Sequence, residues 1–172
     1  MRIAWRGLIK ALWGREPGKP AGSPVAGSAL AQHRIALLLV AQDYALQESL
    51  SILGIVRGWD VLWTPSVEEA VAALRQRPIP LVICDEEAPG GWRSIIERIA
   101  SLPGSTCVLL ASRFCDEALR REANRHYAYD VIAKPLNWEQ VTDLALFAWS
   151  WYTSGCAAWW GPQRANDALR SG

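Results

Sequence analysis

The 172-residue chain has little of what marks most catalytic and metal-binding proteins. It holds two histidines, His33 and His126, and neither falls at the end of a predicted strand, where an imidazole would act as a base or ligand. No glycine-rich phosphate loop follows the first predicted strand and no G-x-S-x-G elbow occurs, which removes the common nucleotide-binding and hydrolase sites of α/β folds. The four cysteines, Cys84, Cys107, Cys115 and Cys156, lack C-x-x-C spacing, and two of them lie in apolar runs that read as buried strands; a zinc or disulfide framework is not expected. No run reaches the roughly 18 uninterrupted apolar residues of a membrane-spanning helix, because Arg6, Lys10 and Arg15 break one end of the chain and Ser150, Thr153 and Ser154 the other. Eighteen basic residues balance 17 acidic ones, so no global field draws in nucleic acid. These features predict a cytoplasmic protein that is neither an enzyme nor a nucleic-acid binder.

What is present is apolar content, 51% of the chain, enough to bury a core. Pro17, Pro20 and Pro24, with three glycines between Glu16 and Ser28, mark a linker over residues 15–32 that separates a segment 1–14 from a domain over 33–152. Within the domain, short β-type runs alternate with longer helical stretches: strands are predicted over Arg34 to Val40, Trp59 to Trp63, Pro80 to Cys84, Thr106 to Ala111 and Tyr129 to Ala133. Continuous apolar runs such as Leu81-Val82-Ile83-Cys84 suit strands covered on both faces, as in a parallel sheet with crossover helices. Ser66 with Glu69, and Asn137 with Gln140, have the spacing of helix-capping pairs. Val67, Ala70, Val71 and Leu74, then Ile95, Ile96 and Ile99, then Val141, Leu144, Ala145 and Ala148, repeat at helical spacing.

Functional groups in such a sheet gather at the carboxyl ends of the strands. Asp43 follows the first strand, Asp85, Glu86 and Glu87 the third, Ala111 and Ser112 the fourth, and Lys134 and Pro135 the fifth. With Leu-Val-Ile-Cys-Asp85-Glu-Glu-Ala-Pro89-Gly90 and Val131-Ile-Ala-Lys134-Pro135, the chain from about Arg34 to about Trp151 resembles the receiver domain of bacterial response regulators. The resemblance implies a flavodoxin-like, doubly wound, five-stranded parallel sheet of order 2-1-3-4-5 with helices on both faces. It makes Asp85 the candidate phosphoacceptor, with Lys134 and Ser112 supporting the phosphate site. It also implies Mg²⁺, for which the carboxylates on offer are Asp43, Asp85 and Glu87.

The chain departs from the family at four places. Ala41 and Gln42 stand where receivers carry adjacent acids, so Mg²⁺ would have a poor ligand set. The hydroxyl position at the end of the fourth strand aligns with Ala111, with Ser112 its neighbour on the opposite side. Val131 replaces the switching aromatic of the fifth strand, with Tyr129 two residues earlier on the same face as a substitute. The expectation is therefore a degenerate receiver, a pseudo-receiver serving as a protein-interaction module in two-component or phosphorelay signalling, with a histidine kinase or another signalling protein as partner. The alternatives are a competent stand-alone receiver phosphorylated on Asp85 and a flavodoxin-like enzyme, for which Cys84 would be the nucleophile. About 20 residues after the fifth helix are too few for a helix-turn-helix unit.

At the two ends, Arg2, Arg6 and Lys10 recur at four-residue spacing among Ile3, Trp5, Leu8, Ile9, Leu12 and Trp13, a basic amphipathic pattern suited to peripheral contact with an anionic membrane. The plainer reading is a weakly ordered tail. Phe147, Trp149, Trp151, Tyr152, Trp159 and Trp160 crowd the other end, running into a Trp-containing tail over 153–172; they suit either a homodimer or partner contact, or rings folded back on the last helix.

Overall fold

The computed structural model describes residues 34–104 and 106–154. The basic segment 1–14, the linker 15–32, Cys156 and the tryptophans at 159 and 160 lie outside the described residues. Five strands and five helices alternate: β1 (Ala36–Val40), α1 (Tyr44–Arg57), β2 (Asp60–Thr64), α2 (Val67–Gln76), β3 (Leu81–Asp85), α3 (Trp92–Ala100), β4 (Cys107–Ser112), α4 (Glu117–Arg125), β5 (Asp130–Ala133) and α5 (Trp138–Thr153). Every strand pairing is parallel, and the order across the sheet is β2-β1-β3-β4-β5, the expected doubly wound arrangement.

The alternation of side chains along the strands divides the core in two. Leu37, Leu39, Leu81, Ile83 and Leu109 meet Leu46, Leu50 and Leu53 of α1 and Val141, Leu144 and Ala145 of α5. Leu38, Val40, Val82, Leu110 and Val131 meet Ala70 of α2, Ile95, Ile96 and Ile99 of α3, and Ala123 of α4. Both faces are covered, which is why the strands read as unbroken apolar runs.

Local chemistry sets the helix starts. Asp43, Ser66, Asp116 and Asn137 each accept a backbone N–H in the first turn of α1, α2, α4 and α5. At α2 the predicted pair is realised with a variation, Glu69 Oε1 meeting the Ser66 hydroxyl at 3.3 Å while Ser66 caps the Glu69 N–H. Helix α1 ends at Gly58, whose φ of 67° lets its N–H return to the carbonyls of Gly54 and Ile55. Gly54 itself lets α1 close on β2, since a Cβ there would lie 2.6 Å from Val61 Cγ2.

His126 ends α4, where Nδ1 meets Glu97 Oε1 of α3 at 2.6 Å and the ring stands edge-on to Trp92, a structural link between two helices. Among the described aromatics of α5, Phe147 packs on Tyr129 at 5.4 Å and Trp149 packs against the α1/α5 core, so these rings turn back on the domain. Among the described residues no helix is long and apolar enough to cross a membrane.

Candidate functional site

Because β2 lies on one side of β1 and β3 on the other, the chain reverses direction across the sheet between them and opens a crevice at their carboxyl ends. Asp85 is the last residue of β3, 1% exposed and hydrogen-bonded through its backbone ladder in register with Ala111. The β3 ladder therefore extends one residue beyond the predicted end at Cys84, and the carboxylate belongs to the rigid sheet. Its Oδ1 accepts the N–H of Glu87 at 3.3 Å, and the turn that follows is closed by Ala88 N–H on the Asp85 carbonyl at 3.0 Å.

Lys134 arrives from the other side of the sheet. Its backbone N–H donates to the Ser112 carbonyl at 2.8 Å, fixing its stem at the end of β5, and its side chain is 8% exposed. Nζ donates to Asp85 Oδ1 at 2.7 Å and to Glu87 Oε2 at 3.4 Å, and lies 3.8 Å from Asp43 Oδ2. Burial is the largest single influence on this ammonium and opposes its charge; the hydrogen bond and charge of Asp85, then those of Glu87, outweigh it and raise the lysine pKa. Lys134 is a fixed cation.

Asp43 reaches this group while capping α1, its Oδ1 accepting the N–H groups of Ala45 at 3.0 Å and Leu46 at 3.2 Å. Asp43, Asp85 and Glu87 bring carboxylate oxygens within 4.8 Å of one another. Oxygen donors of this kind suit Mg²⁺, but Mg²⁺ needs near-octahedral oxygens at about 2.1 Å. Here an ammonium already contacts all three carboxylates, one Asp43 oxygen is committed to the helix cap, and the end of β1 supplies Ala41 and Gln42. The donor set as it stands does not fit the ion.

Ser112 ends β4 in register with Ala133, and its hydroxyl is taken by Glu86 Oε2, while its oxygen accepts the Phe114 N–H at 3.0 Å. Val131 is buried on the α2/α3/α4 side, whereas Tyr129 packs on the α1/α5 side. Tyr129 precedes the regular part of β5, so the two-residue alternation expected to put it on the face of Val131 does not hold there. Glu86, which the sequence places at this strand end, holds Ser112. Two participants escaped the sequence reading: Arg113 lies 3.6 Å from Glu87, and Trp63 donates its indole N–H to the Ala41 carbonyl at 2.8 Å. Arg113 carried the one available signal, a charge directly after a strand end. Cys84 lies within β3, and burial, then the Asp85 charge, push its thiol up to about 12, which keeps it protonated at neutral pH.

No family model and no curated protein matches the chain. Solved structures do. The signal receiver domain of an HD domain-containing protein from Pseudomonas fluorescens is 22% identical, with a TM-score of 0.63 over 70% of this chain and 90% of that one. A chain from the Saccharomyces cerevisiae co-crystal of the histidine phosphotransfer protein Ypd1 with the receiver domain of the response regulator Ssk1 is 15% identical, with a TM-score of 0.56 over 63% and 84%. The beryllofluoride-activated NtrC4 receiver domain dimer is 19% identical, with a TM-score of 0.61 over 68% and 98%. At such identities the likeness is one of fold, and this chain carries the receiver fold.

Proposed function

We propose that the chain is a receiver-like signalling module of a two-component or phosphorelay system, built around a degenerate phosphorylation pocket and acting through protein contact. The observation that carries this reading is the pocket itself. Asp85 and Lys134 meet as in a phosphoacceptor site, yet the residue in register with Asp85 on β4 is Ala111, the Ser112 hydroxyl is held by Glu86, and the end of β1 carries Ala41 and Gln42. A transferred phosphoryl group needs cations and donors at its oxygens, and among the described residues Lys134 is the one cation paired with Asp85.

The domain spans residues 33–152, with the basic segment 1–14, the linker 15–32 and the tail 153–172 as appendages, and it works in the cytoplasm. Its partners are a histidine kinase, another signalling protein or a second copy of the chain, in line with the Ypd1 co-crystal and the NtrC4 dimer. An enzymatic role is disfavoured by the protonated Cys84. A second reading, a competent receiver, is favoured by the 2.7 Å contact of Lys134 with Asp85. In it the Asp85 carboxylate attacks the phosphorus of a phosphohistidine, forming the acyl phosphate as the P–N bond breaks. Incubation of the full chain with acetyl phosphate and Mg²⁺, followed by intact mass, separates the two. The degenerate pocket predicts no adduct, and an adduct that disappears in Asp85→Asn refutes it in favour of the competent receiver.

A further inference from the structure

Carboxylates from two strand ends of the fold converge on one ammonium: Asp43 after β1, and Asp85 at the end of β3 with Glu87 in the turn beyond it. An ammonium has three N–H donors and no acceptor, so it can serve several acidic neighbours at once. In Lys134 it is also anchored, through the backbone bond to Ser112, and nearly buried. We infer that Lys134 acts as a covalently tethered cation in this pocket, assembling the three carboxylates without metal, so that divalent ions are excluded while the lysine is present.

This deepens the reading of the site as a degenerate receiver pocket and rests on it. Three features carry the inference. A divalent ion among the three carboxylates would have to displace Nζ from contacts at 2.7 and 3.4 Å and then sit close to it as a like charge. Mg²⁺ gives up its water reluctantly and gains only where several oxygens are free to replace that water. One oxygen of each carboxylate is already engaged: Asp43 Oδ1 by two backbone N–H groups, Asp85 Oδ1 by Glu87 N–H as well as by Lys134, and Glu87 Oε2 by Arg113 as well as by Lys134. At the end of β1, Ala41 is buried in the apolar core and adds no ligand.

Removing the ammonium reverses the situation. In Lys134→Met three carboxylates remain, one of them almost fully buried, with Arg113 on Glu87 as the nearest countercharge. The variant should gain what the natural chain lacks, a divalent-cation site.

The test uses the full chain and follows free Mn²⁺ by its EPR signal, with thermal melting in millimolar Mg²⁺ as a second readout. The natural protein should leave the Mn²⁺ signal as in buffer and melt at the same temperature with or without Mg²⁺. Lys134→Met should bind Mn²⁺ at least about tenfold more tightly and melt higher with Mg²⁺, as mass action requires of a ligand of the folded state, and Asp43→Asn added to it should abolish both effects. A folded Lys134→Met that binds no Mn²⁺ overturns the inference. So does saturable Mn²⁺ binding by the natural chain that Asp43→Asn removes, and that titration decides the matter alone if Lys134→Met does not fold. The two readings fail separately. A phosphoryl adduct on Asp85 formed in EDTA defeats the degenerate pocket and leaves the tethered cation standing, whereas Mn²⁺ bound by the natural chain without any adduct does the reverse.

Discussion

Replacing Lys134 by methionine keeps an unbranched stem and deletes the charge, and the structure sets the cost. Asp85 is 1% exposed and would retain one donor, the Glu87 N–H at 3.3 Å. Removing one partner of a buried ion pair costs about 3–5 kcal/mol, because the other charge is left without compensation. The contacts to Asp43 and Glu87 add little, since Glu87 is largely exposed and pairs of that kind contribute at most about 1 kcal/mol. Asp85→Asn should be milder, roughly 1–3 kcal/mol, because Lys134 keeps Glu87 and Asp43 as acceptors. Asp85→Leu with Lys134→Met removes both charges and should lie within about 1 kcal/mol of the natural protein, as apolar replacements of buried pairs commonly do. Urea denaturation in EDTA, at low and high salt, measures all three variants. A penalty for Lys134→Met that persists at high salt marks a buried pair, which is screened far less than an exposed one. A penalty below about 1 kcal/mol that vanishes with salt would refute the reasoning and reduce Lys134 to a surface lysine.

Two further outcomes follow from the packing. In Gly54→Ala the added methyl meets Val61 Cγ2 at 2.6 Å, and valine has little freedom to turn away. The overpacking cost of about 1–3 kcal/mol should exceed the roughly 1 kcal/mol gained in helix propensity, so calorimetry should show a lower melting temperature, whereas a rise would mean that α1 and β2 are not so close. For Cys84, the folded thiol pKa of about 12 lies above the ordinary value of roughly 8.5, so the folded state holds a proton that the unfolded chain releases first. Its contribution is complete below about pH 8.5 and is lost as pH rises towards 12. Between about pH 9 and 10 the stability of Cys84→Ala should therefore fall less steeply than that of the natural chain, by up to about 1.4 kcal/mol per pH unit; parallel slopes in urea denaturation would show that Cys84 is not the buried thiol described.

Much of the fold was legible because a sheet buried on both faces leaves a pattern that nothing else in the chain imitates. Leu37-Leu38-Leu39-Val40 and Leu81-Val82-Ile83-Cys84 could hardly be anything but covered strands, and the alternation with helical spacing fixed their number. The strand ends were less legible, since composition marks where apolar side chains stop and pairing follows the backbone. Asp85 is polar and yet in the β3 ladder, whereas Arg34, Pro80, Thr106 and Tyr129, where strands were expected to begin, precede the observed strands. Within the site, topology alone brought Asp85 and Lys134 to one edge. The choice of Glu86 by Ser112 could not be read in advance, because it depends on which rotamer a glutamate adopts in a turn whose shape is set by the Asp85 backbone.

The end of β1 shows why position and chemistry have to be argued separately. In sequence, Ala41 looks like a missing acid, an empty place in an otherwise acidic pocket. In the structure it is buried in the core shared by α1 and α5, and its carbonyl accepts the indole N–H of Trp63 from the neighbouring strand. A half-exposed indole keeps its N–H satisfied in this way. An aspartate at position 41 would bury a charge among leucines, and the Lys134 ammonium at these strand ends is already shared among three carboxylates. The β1 end and the Lys134 cluster are thus mutually consistent: an acid restored at position 41 alone would add a buried charge and leave Asp43, Asp85 and Glu87 still held by the Lys134 ammonium.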